Sequence, residues 1–174
     1  TERIAVGKLS TKGSLEEVAR KARLDFLFKV AKKLGVNKIA LGHTKDDQAE
    51  TVLMRIIRGA GLFGLSGILP VRKINGYTII RPLIEVERQD IERFLKQKKV
   101  KPRLDASNLE DIFFRNRVRH KLIPLLEKEY NRNIKEVLVN LAENAGKDYE
   151  YLKQLSEMAL NKLLKPAGKK PQAK

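Results

Sequence analysis

Residues 42–51, GHTKDDQAET, bring a histidine and two carboxylates together at spacings that can do chemistry. Asp47 and Glu50 are three apart, so on a helix they share a face, and His43 precedes that face by one turn. Such a trio can hold a magnesium ion, bind an ammonium group or remove a proton. A plainer reading competes for Asp47: Thr44 to Asp47 has the spacing of a capping box, and acids in a first turn complement the helix dipole whatever else they do. Glu50 lies past the cap and escapes that explanation. A second cluster, RNRVRH at 115–120, sets Arg115, Arg117 and Arg119 in one short segment. Arginine forks take phosphate bidentately, so the segment suits a nucleotide phosphate or an RNA backbone, the alternative being a solvated basic turn. Arg23 differs in kind. It lies near the apolar face of a helix built from alanine, leucine and phenylalanine, where a guanidinium needs an anion beside it.

Those side chains need elements to position them. Ser14 and Glu17 have capping-box spacing, and Leu15, Ala19, Ala22, Phe26, Val30 and Leu34 recur at intervals of three and four before Gly35, which predicts a helix over 15–34. Lys38 to Leu41 reads as a strand ending at Gly42, and Ala49, Val52, Leu53, Ile56 and Ile57 mark the next helix. An earlier strand, Ile4 to Leu9, precedes both. Strand, helix, strand, helix implies a parallel sheet with right-handed crossovers, and places His43, Asp47 and Glu50 at a strand's carboxyl end, where ligands of open parallel sheets bind.

Further along, the glycine-rich residues 59–67 read as a loop, Tyr77 to Ile80 as a strand ended by Arg81 and Pro82, and 86–98 as a helix with Ile91, Phe94 and Leu95 facing inward. Residues 100–114 read as an ordered loop. A helix begins at Asn116 and is kinked or restarted at Pro124. From 134 to 164 the apolar positions Val137, Leu138, Leu141, Ala145, Tyr149, Leu152, Leu155, Ala159 and Leu163 predict one long helix running beyond the sheet domain. The division is therefore 1–115 for the sheet domain, 116–165 for a helical extension and 166–174 for a disordered basic tail.

Lysine and arginine number 37 against 21 acidic residues, a formal charge of +16 that points to a polyanionic partner. Cysteine is absent, which excludes disulfides, thiolate nucleophiles, iron–sulfur clusters and cysteine-based zinc sites within these residues. No apolar run approaches the roughly 18 residues of a membrane span, so no membrane partner and a cytoplasmic location are expected.

GHTKDDQAETVLMRIIRGAGLFGLSGI (42–68), RPL (81–83), DASN (105–108) and RNRVRHKLIPLL (115–126), in this order and at these spacings, closely resemble the tRNA(Ile)-lysidine synthetase family of the N-type ATP-pyrophosphatase, or PP-loop, superfamily. The resemblance covers roughly residues 1 to 150. It implies an α/β fold, a partial Rossmann-like parallel sheet with flanking helices of the adenine nucleotide alpha hydrolase-like type, followed by a mostly helical C-terminal extension. It also implies a two-step reaction. ATP, with magnesium, adenylates the oxygen on carbon 2 of the wobble cytidine in tRNA(Ile) with a CAU anticodon; the ε-amine of free lysine then attacks that carbon and expels AMP.

By resemblance the functional positions are Arg23, His43, Asp47, Glu50 and Arg119. Asp47 and Glu50 would hold and deprotonate the lysine ammonium, with Asp47 also the candidate magnesium ligand. Arg23, His43 and Arg119 would bind nucleotide and phosphate, and Arg115, Arg117 and Arg58 the tRNA. Members commonly pair, so a homodimer is expected. The family's phosphate loop, serine-glycine-glycine-x-aspartate-serine, does not occur in these residues, and Leu104 and Ala106 stand where glutamate and proline are usual, so the chain alone is expected to be inactive. Two rivals remain: a tRNA 2-thiolation enzyme of the same superfamily, disfavoured by the missing cysteines, and a catalytically silent tRNA-binding module.

Overall fold

The computed structural model describes residues 15–102 and 113–164. The strand expected at Ile4 to Leu9, the cap at Ser14, the loop residues 105–108 and the basic tail lie outside them. Helix α1 spans Leu15–Lys33 and stops at Gly35, whose φ of +66° is the left-handed conformation that glycine adopts without cost. Strand β1, Lys38–Ala40, follows, and α2 spans Lys45–Ile57. The glycine-rich segment holds a short helix, α3 at Leu62–Leu65, where a plain loop was expected.

Strands β2 (Val71–Ile74) and β3 (Tyr77–Ile80) complete a three-stranded sheet in the order β1-β3-β2. β1 and β3 are parallel, as expected, but β2 pairs antiparallel with β3, so the sheet is mixed. Sequence reading passes over β2. Its signal is the Asn75-Gly76 pair: both residues have positive φ, 51° and 81°, the requirement of the tight turn whose twist matches flanking strands. Tyr77 and Ile79 share a face of β3, and Phe28 of α1 stacks on Tyr77 with centroids 5.1 Å apart, which ties α1 to the sheet.

After β3 the chain forms α4, Arg88–Gln97. Phe94, expected inward, is 55% exposed, with the Lys98 ammonium over its ring. A nearly continuous helix then follows in three pieces: α5 (Phe114–Arg117), a π-helical turn (Val118–Leu122) and α6 (Ile123–Glu129). Pro124 has no N–H to donate to the carbonyl four residues back, and the wider turn ahead of it is how the ladder absorbs that loss. The long helix α7 spans Ile134–Leu163.

The main core joins Ala49, Val52, Leu53 and Met54 of α2 to Val118, Ile123 and the α7 residues Leu138, Val139 and Ala142. It runs across the boundary expected at residue 115, so the helices after that point share the core of α2. In α7 the buried positions are Leu138, Val139, Ala142 and Ala145, while Val137 and Leu141 of the expected stripe are exposed. Burying such side chains stabilises by about 1.5–3 kcal/mol each for the larger ones, which fixes the angular position of α5 and the π turn over α2. The second half of α7 leaves Leu152, Leu155 and Leu163 exposed. Among the described residues no helix is long and apolar enough to cross a membrane.

Candidate functional site

The carboxyl end of β1 runs into Gly42, His43 and the first turn of α2. Thr44 caps that helix: its hydroxyl accepts from the Asp47 N–H at 3.3 Å, while Asp47 Oδ2 accepts from the Thr44 N–H at 2.9 Å. The capping box is therefore formed, and it uses one oxygen of Asp47. The other oxygen, Oδ1, accepts from Arg115 at 3.0 Å and from Arg119 at 3.2 Å.

Glu50, one turn further, is 2% exposed although it carries a charge. Its burial is compensated. Arg115 Nε donates to Glu50 Oε2 at 2.8 Å, and Arg119 donates to Oε1 at 2.6 Å and to Oε2 at 3.0 Å. Two acids spaced i, i+3 on α2 thus face two arginines spaced i, i+4 on α5 and the π turn, and the four formal charges cancel. Such an arrangement is stable only because every partner is present, since a charge buried alone is costly. For Arg119, burial works against its charge, but the bonds and proximity to Glu50 outweigh it and hold the pKa above the ordinary value.

Each expected site residue among the described ones has a definite place in this geometry. The sequence points to Arg119 as a phosphate binder and to Arg115 as a tRNA binder; in the structure both guanidiniums face Glu50 and Asp47, a pairing that local spacing does not reveal. Asp47 is the candidate magnesium ligand of the sequence reading, but both its oxygens already accept donors, and among the described residues no group of three or more histidine, aspartate or glutamate side chains could hold a metal. A magnesium ion at Asp47 would have to take the place of an arginine N–H on Oδ1. Arg23, expected near an apolar face, is exposed on α1, forms no ion pair with a described carboxylate, and is close enough to His43 to lower its pKa.

His43 sits partly buried beside this quartet, with Nδ1 buried and lacking a hydrogen-bond partner. Burial pushes its pKa below 6.5; Asp47 opposes that, and the guanidiniums of Arg81, Arg115 and Arg23 add to the depression. The imidazole is consequently mostly neutral near pH 7 and a weaker base than a free imidazole. Arg117 and Arg58, both exposed, lie over the Phe114 ring at 5.7 and 5.3 Å, a cation–π arrangement that pre-positions two positive charges at the surface.

Sequence reading misses two features around this site. Arg81, which from sequence is only a strand end, is 8% exposed, with its Nη1 donating to the Leu69 carbonyl and its Nε buried without a partner. A second ionic network lies on the other side of the α2 amino end. There Asp46 accepts from the Arg88 N–H at 2.8 Å and pairs with Lys135 at 3.2 Å, and Lys45 pairs with Glu87 and Glu136. The adjacent Lys45-Asp46 pair ahead of Asp47 is its only sequence signal, and that signal does not name the distant partners.

A small parallel strand pair, a histidine and acid pair at a strand end, and helices packed behind them define a nucleotide-hydrolase-like α/β protein, and the PP-loop domain model matches residues 1–126. The chain belongs to that family. It is similar to the tRNA(Ile)-lysidine synthase of Clostridioides difficile, at 42% identity over 144 residues, which covers 83% of this chain and 30% of that protein. The enzyme of the same name from Clostridium acetobutylicum is 43% identical over 158 residues, 90% of this chain and 34% of its own length. A third, from Caldanaerobacter subterraneus, is 43% identical over 155 residues, 89% of this chain and 32% of its own length. The chain spans about a third of the length of the curated relatives it matches.

Proposed function

We propose that these residues form the proton-handling and tRNA-facing part of a tRNA(Ile)-lysidine synthase, a carbon–nitrogen ligase that consumes ATP and joins free lysine to the wobble cytidine of tRNA(Ile). The observation that carries this reading is the closed quartet of Asp47, Glu50, Arg115 and Arg119 beside a neutral His43, at a strand end of a PP-loop fold. Lysine reaches the site as an ammonium and must shed a proton before it can attack. We assign that proton to His43, which lies beside Asp47 and stays neutral near pH 7; the guanidiniums of Arg81 and Arg115 near it would also lower the pKa of an ammonium brought beside them.

Asp47 and Glu50 then act differently from free bases. Their oxygens orient Arg115 and Arg119 and neutralise the two guanidiniums beside His43. Arg119 makes three bonds to the acids, and exchanging its Asp47 contact for a phosphate oxygen would let it stabilise charge as a leaving group departs. ATP would supply the activating adenylyl group. The family's phosphate loop does not occur in these residues, whose own share is the proton transfer and the charge around it. Magnesium, if held at Asp47, would replace an arginine contact on Oδ1 and draw its remaining ligands from water and phosphate. Arg58 and Arg117, raised on Phe114, suit the tRNA backbone, and a homodimer remains part of the proposal.

The test is an alanine scan in the full-length protein, reading lysine- and tRNA-dependent AMP release. His43→Ala and Arg119→Ala are expected to lower kcat/KM by about a hundredfold or more. Unchanged activity in both would sink the reading. The rival, a silent tRNA-binding module, requires that the full-length protein bind tRNA and release no AMP.

A further inference from the structure

Four arginines gather on the side of the sheet that carries the β2–β3 hairpin, and none forms an ion pair with a described carboxylate. Arg55 of α2 donates through Nη1 to the carbonyls of Gly64 and Gly67, at 2.5 and 2.7 Å. Arg81 donates through Nη1 to the carbonyl of Leu69, and its N–H donates to Pro70 at 2.9 Å. Both guanidiniums therefore grip one stretch of chain, 64–69, from which the hairpin departs. Arg72 lies on β2, in register with Ile79 two residues before Arg81.

Arg20 projects from α1. It is near enough that burial, Arg20 and Arg72 all push down the pKa of both Arg55 and Arg81. Arg20 and Arg72 are exposed, Arg55 is half-buried and Arg81 is buried with its Nε unpartnered. Like charges held this close, two of them partly desolvated, are costly without a counter-anion.

Arg55 stands in the last turn of α2 and Arg58, three residues on, is its C-cap and lies with Arg117 over Phe114.

We propose that Arg20 and Arg72, backed by Arg55 and Arg81, form a second phosphate-binding patch that tracks the sugar–phosphate backbone of the RNA substrate, extending the Arg58–Arg117 contact across the hairpin side. The patch reads phosphates and carries no base specificity. The buried pair supplies a fixed positive field, and the exposed pair makes the contacts. The proposal rests on RNA being the substrate, as the function above has it.

The experiment is fluorescence anisotropy of this chain with an unmodified tRNA(Ile) transcript across a salt series. Arg20→Gln with Arg72→Gln removes two exposed charges and is checked for folding by circular dichroism. Lys147→Gln with Lys162→Gln removes two exposed charges from α7 as the control. Affinity of the arginine variant is expected to fall about tenfold, with the slope of log K against log salt shallower by about 1.4–1.8, while the control changes less than twofold.

Equal losses in the two variants, an unchanged slope, or no tRNA binding by the wild-type chain would each overturn the patch. Displacement of tRNA by millimolar inorganic pyrophosphate, with the same dependence on Arg20 and Arg72, would assign it to a free phosphate ligand and overturn it too. AMP release by the full-length enzyme separates the two proposals. Its absence alongside Arg20- and Arg72-dependent binding removes the enzyme reading and leaves the patch. Its presence with binding indifferent to these arginines does the reverse.

Discussion

Glu50 ties α2 to the helical segment that carries Arg115 and Arg119. It is almost fully buried, yet it receives three N–H donors from two arginines that are themselves partly open to solvent. Glu50→Gln keeps the shape and removes the charge, leaving two guanidiniums with only Asp47. The expected loss is about 2–3 kcal/mol, below the figure for a fully buried pair because both arginines reach water. In a urea melt it is read as a midpoint lowered by about 1–2 M. A melt indistinguishable from wild type would mean that Glu50 is not structural. His43 gives a pH signature of defined sign. Its folded pKa lies below 6.5, so the unfolded chain binds the proton first as the solution is acidified. The stability it contributes is complete above pH 6.5 and is lost as pH falls from there through the folded value. Urea midpoints at pH 7.5 and 5.5 should differ for the wild type, and by less in His43→Gln.

At the level of elements, the glycine-rich segment is built around Gln48 and Arg55. Gln48 Oε1 accepts from the Ile68 N–H at 2.6 Å, and Gly67, with φ of +65°, lies so close that an added Cβ would stand 2.5 Å from that same oxygen. Gly67→Ala would strain the backbone and dislodge Gln48, at a cost of about 2 kcal/mol. Thermal unfolding measures it, and a melting temperature equal to wild type would refute the close packing. The π turn is a second such device. It carries Arg119 and buries Val118 ahead of Pro124, so one short run of helix both closes the core over α2 and delivers a guanidinium to Glu50.

For the molecule as a whole, a charge of +16 is distributed so that acids are drawn into networks at the amino end of α2 while arginines occupy the hairpin side. RNA affinity should therefore depend steeply on salt. Arg58→Ala with Arg117→Ala is expected to weaken tRNA binding about tenfold and to reduce the salt slope by about 1.4–1.8, as two lost phosphate contacts would. Unaltered binding in an electrophoretic or anisotropy titration would remove both residues from the interface.

Much of this is readable in the chain before folding is considered. Periodicity gives α1, α2 and α7 with ends near those observed, because a buried stripe leaves its 3.6-residue interval in sequence. GHTKDDQAET and RNRVRH give the residues that meet at the strand end, because acids and arginines carry their chemistry in their side chains. Partnership is not readable. Whether Asp47 caps a helix, holds a metal or pairs with an arginine depends on what lies 68 residues away at Arg115, and a local spacing has no information about that. Arg81 shows the same limit in reverse. Its position after a strand is evident, whereas its burial, and the gathering of Arg20, Arg55 and Arg72 around it, exist only once the hairpin folds back on β3 and α1 packs beside the sheet. Side-chain type is a property of the sequence; burial and electrostatic neighbourhood are set by three-dimensional packing.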